Sequence, residues 1–536
     1  MLNKEPLGFR HLLLFILIYS LALFATSALW GVIETSEARY SEISREMFRS
    51  SDLVHPHLLN IQHYHKPPVT YWITSFAYSL FGVNATAVRF FLTLAYVLQI
   101  IIVYRIALAV LHNQEKGFWA AFIYANLLLV LISVRSLTTD AFNNTFVLLT
   151  IWSALSFKQT FSLRWLYLTA LFAGLSFLTK GPIVVIMLVP VYFFARMQRR
   201  ESAKQPSLIH YAGALVLFGL TGFSWFMYLV LNDTIFFDYF VMRHFVDRFV
   251  NAEVFTRHKP WYFYLLVFPT LTLPWFLPFI TRLSKTSAEG KGVLLGWVAI
   301  PLIIFSAASS KLVLYILPLS AGFALVTADV LWQMEDKWKL PFSIIYLIIL
   351  SAFVAVPFFE PSVVFTSIMY LIIFIGIAGI TFIFFYFRQS RTVLTWATAF
   401  FTVILIFFSA FLIKENSLKF NTLSSLASFI KENKLKNRNI LIYDRLTPSL
   451  AFELDKPIIS LYHDNSSLKR ETQFEKSDDW RAFYYDLNVP ADSLRLQTLM
   501  QEPSVLVVKG VLKQKGLWLN DYYTSKKEFP GWTIFY

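Results

Sequence analysis

Long apolar segments, separated by short polar ones, follow one another along this chain from residue 11 to residue 413. A helix that crosses a bilayer needs about 20 consecutive apolar residues, or somewhat fewer where neighbouring helices shield its ends. Counted in this way, the pattern predicts thirteen membrane-spanning helices. They lie at residues 11–29, 90–111, 118–134, 141–157, 164–179, 182–196, 208–231, 261–280, 293–308, 312–332, 341–357, 363–387 and 393–413.

One polar stretch, residues 34–72, interrupts the apolar pattern for longer than any other before the C-terminal part of the chain. It contains four histidines, four basic residues, several carboxylates and a Pro-Pro pair. Its spacing predicts a short amphipathic helix that begins at Ser36. An aromatic helix typical of the membrane interface is predicted from Pro67 to Phe81. We therefore expect residues 30–89 to form a polar loop with two interfacial helices.

Residues 414–536 have a different pattern, because charged residues return and long apolar segments end. A helix is predicted over 422–434, and buried strands are predicted over 439–444 and 504–510. These elements indicate a small α/β domain of about 120 residues after a transmembrane domain of residues 1–413. The predicted fold class is a mostly α polytopic membrane protein with about thirteen spanning helices and a small C-terminal α/β domain.

The composition agrees with a membrane protein. The chain is 57% hydrophobic and 15% charged, with a mean hydropathy of +0.56, which excludes a soluble protein. The net charge of +14 does not indicate nucleic-acid binding, because Lys and Arg collect in the cytoplasmic loops of membrane proteins. One set of alternate loops holds most of these cations, so the other set is predicted on the outer face, together with 30–89 and 414–536. The chain has no cysteine, which excludes disulfides and thiolate metal sites.

Three carboxylates lie where predicted helices meet the outer face. Glu34 and Glu37 follow the first span, and Asp140 precedes the fourth. Carboxylates at membrane depth are costly and usually face a cavity, which makes each of them a candidate for catalysis. The alternative for Glu37 and Asp140 is helix capping, because a carboxylate in a first turn offsets the helix dipole.

Basic residues on the outer face run against the usual charge distribution of membrane proteins and need another explanation. A pocket for phosphate groups is one explanation, because cations in a low-dielectric cleft stabilise an anionic leaving group. Solvated or snorkelling side chains are the other. The residues concerned are Arg39, Lys66, Arg135, Lys180, Arg243, Arg248, Arg257, Lys259 and Lys311.

Histidines are concentrated in the same outer loops. Imidazoles beside carboxylates are able to bind a divalent metal ion, whereas outer loops also carry histidines that bind nothing. Both alternatives stay open from the residues alone. The histidines are His55, His57, His63 and His65 in segment 30–89, and His244 and His258 in a later loop.

Eight motifs occur in one order along the chain: EARYSEISREM (37–47), YHKPPVTYWITSFAYSLFG (64–82), SLTTDAF (136–142), LTKG (178–181), RHFVDRF (243–249), KPWYFYL (259–265), LPW (273–275) and SSKLVLYILP (309–318). Together they resemble the lipid A aminoarabinose transferases. That family belongs with the protein O-mannosyltransferases among the GT-C-type integral-membrane glycosyltransferases, which use polyprenyl-phosphate sugars. The resemblance covers roughly residues 10–330, and the later spans and the C-terminal domain only by architecture.

The resemblance implies a multi-pass, monomeric enzyme of the bacterial inner membrane, with its active site and C-terminal domain in the periplasm. Its donor would be a sugar on undecaprenyl phosphate. Its acceptor would be lipid A, through a phosphate, or another envelope molecule, and membrane lipids would be its remaining partners. The resemblance gives no role to nucleic acid.

Particular residues of this chain match the family's functional positions. The resemblance implies catalytic carboxylates at Glu34, Glu37 and Asp140. A divalent metal ion, if used, would be bound by His65 and His244. Ligands of the donor phosphate would be Lys66, Arg39, Lys180, Arg248 and Lys311.

Two positions depart from the family pattern. Ser36 stands where many members have an aspartate before Glu-x-Arg-Tyr, and His65 stands where Glu-Lys-Pro is usual. Glu34 is able to supply the missing charge beside Ser36, and an imidazole would replace the carboxylate metal ligand at residue 65. These departures leave open which carboxylate is catalytic and which sugar is transferred.

The predicted reaction is attack of the acceptor on C1 of the sugar while cations stabilise the departing phosphate. An ionised lipid A phosphate needs little general base, whereas a hydroxyl acceptor requires one of the carboxylates as base. A protein O-glycosyltransferase with a serine or threonine acceptor is therefore one alternative. A lipid or polyprenol transporter is the second, but transporters place ionisable residues at the midplane, and here they cluster at one face.

Overall fold

The computed structural model describes residues 7–197, 204–232, 236, 259–332, 334–475 and 478–536. Its contacts divide the chain into two compact units. The first unit consists of the residues up to Ser27 together with Leu92–Glu415, and the second consists of Ala28–Phe91 and Asn416–Tyr536. The second unit thus combines the polar loop after the first helix with the C-terminal residues, which are distant from that loop in the sequence.

Helices account for most of the described chain up to residue 415. Asn113 begins one of them by accepting hydrogen bonds from the backbone N–H groups of Glu115 and Lys116, as an N-cap residue does. The helices up to residue 232 are α1 (Phe9–Thr26), α2 (Ser36–Ser50), α3 (Val69–Phe81), α4 (Ala85–Leu111), α5 (Gln114–Ala125), α6 (Leu128–Arg135), α7 (Thr139–Thr160), α8 (Leu163–Lys180), α9 (Ile183–Phe194) and α10 (Leu208–Asn232). Later helices occupy Phe263–Thr272, Phe276–Arg282, Ala288–Ala307, Leu319–Leu331, Glu335–Phe359, Ser367–Phe387 and Val393–Glu415.

All thirteen apolar segments predicted from the sequence fall on these helices. By length and apolar composition, seven helices of the described chain are able to cross a membrane. The number is nine if each of two sharply bent pairs forms one span, namely α5 with α6 and Phe263–Thr272 with Phe276–Lys285. A mostly helical fold with several apolar spans is thus confirmed, while the count of thirteen stays a prediction.

A buried polar network links α4, α5 and α7 within the first unit. The amide of Gln99 donates to the carbonyl of Ala141 (2.9 Å) and to Thr145 Oγ1 (2.8 Å). The hydroxyl of Tyr124 donates to Gln99 Oε1 (2.5 Å), and Asn144 Nδ2 donates to Tyr124 (2.8 Å). Polar groups away from water need such partners, and bonds between helices are one source of cohesion among membrane helices.

A six-stranded sheet forms the centre of the second unit. Its strands are β3 (Asn439–Tyr443), β4 (Ile459–Tyr462), β5 (Tyr484–Asp486), β6 (Ser504–Lys509), β7 (Lys526–Phe529) and β8 (Trp532–Phe535). Their order in the sheet is β5-β4-β3-β6-β8-β7, with β3, β4, β5 and β6 parallel and β8 antiparallel to both β6 and β7. The central strands are rich in Val, Ile and Leu because both faces of a parallel sheet are covered. The main helices beside the sheet are Ser424–Glu432, Pro448–Leu454, Ser466–Glu471 and Pro490–Leu499.

The polar loop packs into the same hydrophobic core as this sheet. Ile43 and Met47 of α2 and Tyr71 of α3 are at most 1% exposed and share one core with Ile442 of β3 and Val505 of β6. The loop's own hairpin, β1 (His57–Leu58) with β2 (Ile61–Gln62), contributes to that core as well. Burial of apolar side chains from both parts of the chain therefore holds loop and sheet together.

Most secondary structure predicted for the loop and the C-terminal residues is confirmed. The predicted helices in the loop correspond to α2 and α3, and the predicted strands 439–444 and 504–510 correspond to β3 and β6. The remaining strands of the sheet were not predicted. The division into domains of residues 1–413 and 414–536 stays a prediction, and the structure adds that Ala28–Phe91 clusters with the C-terminal residues.

Close packing of α8 against α10 depends on Gly174. A Cβ atom at residue 174 would collide with the side chain of Thr221 and would lie 3.2 Å from the backbone nitrogen of Gly222. We expect Gly174→Ala to lower the free energy of unfolding by about 1–3 kcal/mol, because overpacking forces neighbours apart. Thermal unfolding of the detergent-solubilised protein measures the effect.

Gly219 provides the matched control for this substitution. It lies on α10 as well, but a Cβ atom there would meet nothing within 4 Å. Gly219→Ala should leave the thermal midpoint unchanged or slightly higher, since alanine favours a helix over glycine. Equal midpoints for both variants would contradict the close approach of the two helices.

Candidate active site

Glu34 lies between α1 and α2 and is bound to C-terminal residues of the second unit. Its backbone N–H donates to the carbonyl of Asn421 (2.8 Å), and its Oε1 accepts from the backbone N–H of Ser449 (2.7 Å). Its Oε2 is buried and has no hydrogen-bond partner in the described parts of the chain. Burial raises the pKa of Glu34 to about 7, although the bond from Ser449 opposes the shift. A carboxyl group that titrates near neutrality is suited to proton transfer or to binding a cation.

Glu37 has a different environment three residues later. Arg89 Nε donates to Glu37 Oε1 and Arg89 Nη2 donates to Glu37 Oε2, both at 3.0 Å. The backbone N–H of Ile33 also donates to Oε2 (2.9 Å). The Glu37 side chain is 0% exposed and that of Arg89 is 3% exposed. Both carboxylate oxygens are engaged inside the protein, which favours a structural role for Glu37 over its predicted catalytic role.

Arg39 carries a guanidinium group that the protein leaves incompletely paired. Its Nε is buried and has no hydrogen-bond partner among the residues described. Arg39 lies close enough to interact electrostatically with Glu34, His63, His65 and Tyr71. Tyr71 adds a buried hydroxyl group that also has no hydrogen-bond partner within the described ranges. A guanidinium group and a hydroxyl group with unused donors are suited to an anionic ligand such as a phosphate.

Lys66 lies at the entry to α3 in the same unit. It directly precedes Pro67 and Pro68, and α3 begins at Val69. Prolines are tolerated at the start of a helix, because the first backbone N–H groups have no partner within the helix. The side chain of Lys66 is partly buried. Its predicted role as a ligand of the donor phosphate stays a prediction.

His63 and His65 converge on a carboxylate of the C-terminal domain. His63 Nδ1 lies 2.7 Å from Glu471 Oε2, and His65 Nε2 lies 3.5 Å from the same oxygen. Burial lowers the pKa of His63 to about 3. Burial would raise the pKa of Glu471, but the imidazoles hold it well below its usual range. Both shifts are in the direction that metal ligation requires, namely toward a neutral imidazole and an ionised carboxylate.

The predicted metal site is only partly described by the structure. The donor set around His65 fits a divalent ion, because one potential ligand atom from each of His63, His65 and Glu471 lies within 4.8 Å of the others. His244, the predicted second ligand, lies outside the described residues, and so does the predicted phosphate ligand Arg248.

The first unit contains the other predicted residues. Asp140, in the first turn of α7, forms an ion pair with Lys180 at the end of α8, and Tyr315 lies 4.8 Å from the Lys180 ammonium group. Lys311 is 3% exposed, and its ammonium group donates to the carbonyls of Lys259 (3.0 Å) and Ala308 (2.5 Å). The charge of Lys180 is therefore compensated by Asp140, whereas Lys311 is held by backbone oxygens.

Sequence reasoning missed three residues that shape these arrangements. Arg89 carried a signal, because it is a basic residue beside a predicted span on the outer face. Tyr71 is an aromatic residue in a helix with several others, so nothing distinguished it. Glu471 lies among many charged residues of the C-terminal domain and carried no signal at all.

Known proteins resemble this chain in sequence. Residues 65–226 match the family model described as dolichyl-phosphate-mannose-protein mannosyltransferase. An undecaprenyl phosphate-alpha-4-amino-4-deoxy-L-arabinose arabinosyl transferase of Aeromonas salmonicida is 33% identical over 331 residues, which cover 59% of this chain and 58% of that protein. A transferase of the same name, numbered 2, from Sodalis glossinidius is 32% identical over 331 residues with the same coverage. The chain thus spans less than two thirds of the length of these curated relatives.

The fold is similar to solved structures over almost the whole chain. The crystal structure of ArnT from Cupriavidus metallidurans bound to undecaprenyl phosphate superposes with a TM-score of 0.76 at 18% identity, covering 98% of this chain and 97% of that one. The apo structure of the same protein gives a TM-score of 0.74 at 17% identity. This chain is therefore similar in sequence, over 59% of its length, to undecaprenyl phosphate-alpha-4-amino-4-deoxy-L-arabinose arabinosyl transferases, and similar in fold to ArnT.

Proposed function

We propose that this protein transfers a sugar from undecaprenyl phosphate to a lipid A phosphate, and that the sugar is aminoarabinose. The observation that carries the proposal is the combination of Glu34 and Arg39 in one polar loop. A carboxyl group with a pKa near 7 lies there beside a guanidinium group whose Nε has no hydrogen-bond partner among the described residues. Two curated relatives, 33% and 32% identical, are named for an aminoarabinose arabinosyl transferase and undecaprenyl phosphate, which supports this donor.

The reaction requires separate groups for the sugar and for the phosphate. Arg39 and Lys66 are proposed to bind the donor phosphate and to stabilise the charge that develops on it as the bond to C1 breaks. Ionised Glu34 is proposed to bind the amino group of the sugar or to stabilise the positive charge at C1. A lipid A phosphate is already ionised and attacks C1 without a general base. Lys180, Arg248 and Lys311 stay predicted as further ligands of the phosphate.

The proposal also includes the placement of the protein. The proposed thirteen spans rest on the apolar segments of the sequence. The proposed outer position of the polar loop and the C-terminal residues rests on the loop charges, and the bacterial inner membrane rests on the resemblance to the aminoarabinose transferases. A monomer is proposed on the resemblance to the aminoarabinose transferases. A divalent metal ion at His65 is part of the proposal, and it would act as a Lewis acid or as a structural cross-link.

A protein acceptor is the second candidate function. The family model that matches residues 65–226, and so includes Lys66, Asp140 and Lys180, is described by transfer of mannose to proteins. A serine or threonine hydroxyl would need a general base, for which Glu34 is the candidate because its pKa lies near neutrality. The identity of the acceptor distinguishes the two functions.

Substitution of Lys66 tests the donor site and the acceptor together. We expect a strain that lacks the gene to lose aminoarabinose from lipid A. Wild-type protein should restore it, whereas Lys66→Ala should reduce it about 100-fold or more, because stabilisation of the leaving phosphate is lost. Mass spectrometry of lipid A measures the modification, and immunoblotting measures the amount of protein in the membrane.

Lys527→Ala is the matched control, because Lys527 is an exposed lysine on β7. It should restore lipid A to the wild-type level. Full modification by a stable Lys66→Ala protein would contradict the role of Lys66. Unchanged lipid A together with altered envelope glycoproteins in the deletion strain would favour the protein acceptor.

Glu34 and Glu37 should respond differently to the same substitution. Glu34→Gln should lower the rate of transfer at an unchanged unfolding temperature, because it removes a charge beside Arg39. Glu37→Gln should lower the free energy of unfolding by about 3–5 kcal/mol, because it leaves Arg89 as an unpaired buried charge. Transfer assays and thermal unfolding of the purified variants measure the two effects. A stable but inactive Glu37→Gln protein would assign the catalytic role to Glu37.

The rate of transfer should depend on pH through Glu34. The pKa of about 7 means that the carboxyl group is protonated below neutrality and ionised above it. If the ionised form acts, kcat/KM should rise with pH through an inflection near 7, because this parameter reports groups of the free enzyme. The inflection should disappear in Glu34→Gln and persist in Glu453→Gln, which alters a half-buried carboxylate of the same unit. An inflection that persists in Glu34→Gln would assign the titration to another group.

A further inference from the structure

Two imidazoles and one carboxylate from distant parts of the sequence meet inside the second unit. His63 and His65 belong to the segment that joins β2 to α3, and Glu471 ends the helix Ser466–Glu471. The His63 and Glu471 side chains are each 1% exposed, and that of His65 is 12% exposed. The two imidazole rings lie edge to face with their centroids 4.5 Å apart. All three side chains thus converge at a place that is almost closed to solvent.

The distances in this cluster fit tetrahedral zinc. Zinc binds nitrogen and oxygen ligands at 2.0–2.2 Å, so neighbouring ligand atoms of a tetrahedral site lie about 3.3 Å apart. The separations of Glu471 Oε2 from the two imidazole nitrogens, 2.7 and 3.5 Å, lie on either side of that value. Small side-chain shifts would therefore admit the ion.

The ring of His63 supplies a second, independent observation. Its Nε2 is buried and has no hydrogen-bond partner within the part of the chain that the structure describes. A buried polar atom without a partner is costly, and such atoms often mark a ligand site. A cation on Nδ1 would be bound by His63 and Glu471 directly, which is the arrangement in which all three residues are ligands. A cation on Nε2 would instead leave Nδ1–H donating to Glu471, which would then orient the His63 ring without binding the ion.

The nearby charges select among metal ions. Arg470 donates to Glu471 Oε1 (3.1 Å), so one carboxylate oxygen remains for a cation, and Arg39 adds further positive charge. Calcium and magnesium prefer several oxygen ligands, often from more than one carboxylate. Two imidazoles and one carboxylate oxygen instead match zinc, with the fourth position left for water.

We propose that His63, His65 and Glu471 bind one zinc ion that cross-links the polar loop to the C-terminal domain. This ligand set differs from the pair His65 and His244 predicted from the sequence. Its consequence for catalysis rests on the proposed function: fixing residues 63–65 also fixes the backbone of Lys66 at the start of α3. The three residues are then positioning residues for Lys66.

Metal analysis of the full-length protein tests the site directly. The protein is purified in detergent with an affinity tag that contains no histidine, incubated with zinc chloride and passed through a desalting column. We expect about one zinc ion per chain by elemental mass spectrometry, and about a tenth of that or less in His65→Asn and Glu471→Gln. His55→Asn, which alters a loop histidine paired with Asp52 instead, should retain the ion.

Thermal unfolding of the wild-type protein tests the zinc site without relying on a variant that folds. Chelation of zinc from the wild-type protein should lower its unfolding temperature by several degrees, and added zinc should restore it, because an ion that binds only the folded state stabilises that state. The His55→Asn protein should respond in the same way. Wild-type protein without bound zinc, or an unfolding temperature that chelation does not change, would overturn the proposal. Neither measurement depends on transfer activity, so failure of the proposed function would be recognised separately.

Discussion

The polar loop of this protein depends on the guanidinium group of Arg89. It donates to both oxygens of Glu37 and to the carbonyls of Trp30 and Gly31, while the Trp30 ring lies 4.2 Å from the guanidinium carbon. A buried ion pair offsets its desolvation only when its hydrogen bonds are complete, as they are here. The bonds fix the segment that leads into α2 against the first turns of α4. Glu34 lies within that segment, so its position depends on Arg89 as well.

Residues of the same type serve different purposes in this protein because their partners differ. Both carboxylate oxygens of Glu37 accept hydrogen bonds from Arg89. Glu34 has one oxygen that accepts a hydrogen bond and one buried oxygen without a hydrogen-bond partner within the described residues. Lys180 is paired with Asp140, whereas Arg39 Nε has no hydrogen-bond partner in the parts of the chain that the structure describes. The groups of the loop best placed to bind a ligand are those whose hydrogen-bonding capacity the folded protein does not fully use. The hydrogen bonds of the structure identify these groups, whereas the amino-acid composition does not.

Local and pattern-based features of the fold were predictable from the sequence. Apolar segments of sufficient length located the helices, and the prolines at residues 67 and 68 located the start of α3, because these signals act over a few residues. The strands β4, β5, β7 and β8 were missed because none has more than four residues, which is too short for a recognisable strand pattern. The resemblance of the motifs identified the region that contains Glu34, Arg39 and Lys66, but not which carboxylate would be sequestered.

The pairing of distant residues was beyond sequence reasoning. Nothing in the local pattern connects Glu34 with Ser449 or His63 with Glu471, because these contacts arise from packing of the loop against the sheet. Apolar periodicity predicts which face of an element is buried, but it does not identify the other element. Arg89 was the one residue whose sequence position indicated a distant partner, because a charged side chain beside an apolar span requires one.

The long separation of these contacts has a consequence for biosynthesis. His63 and Glu471 are 408 positions apart, and chains are synthesised at about 5–20 residues per second, so the loop waits for its partner for about 20–80 seconds. During that time its carboxylates and imidazoles are on a chain whose helices are already entering the membrane. The arrangement around Glu34 and His63 is therefore completed only after nearly the entire polypeptide exists, and a chain that terminates early lacks it. The rate of translation thus sets the earliest time at which the contacts of this loop with the C-terminal residues are able to form.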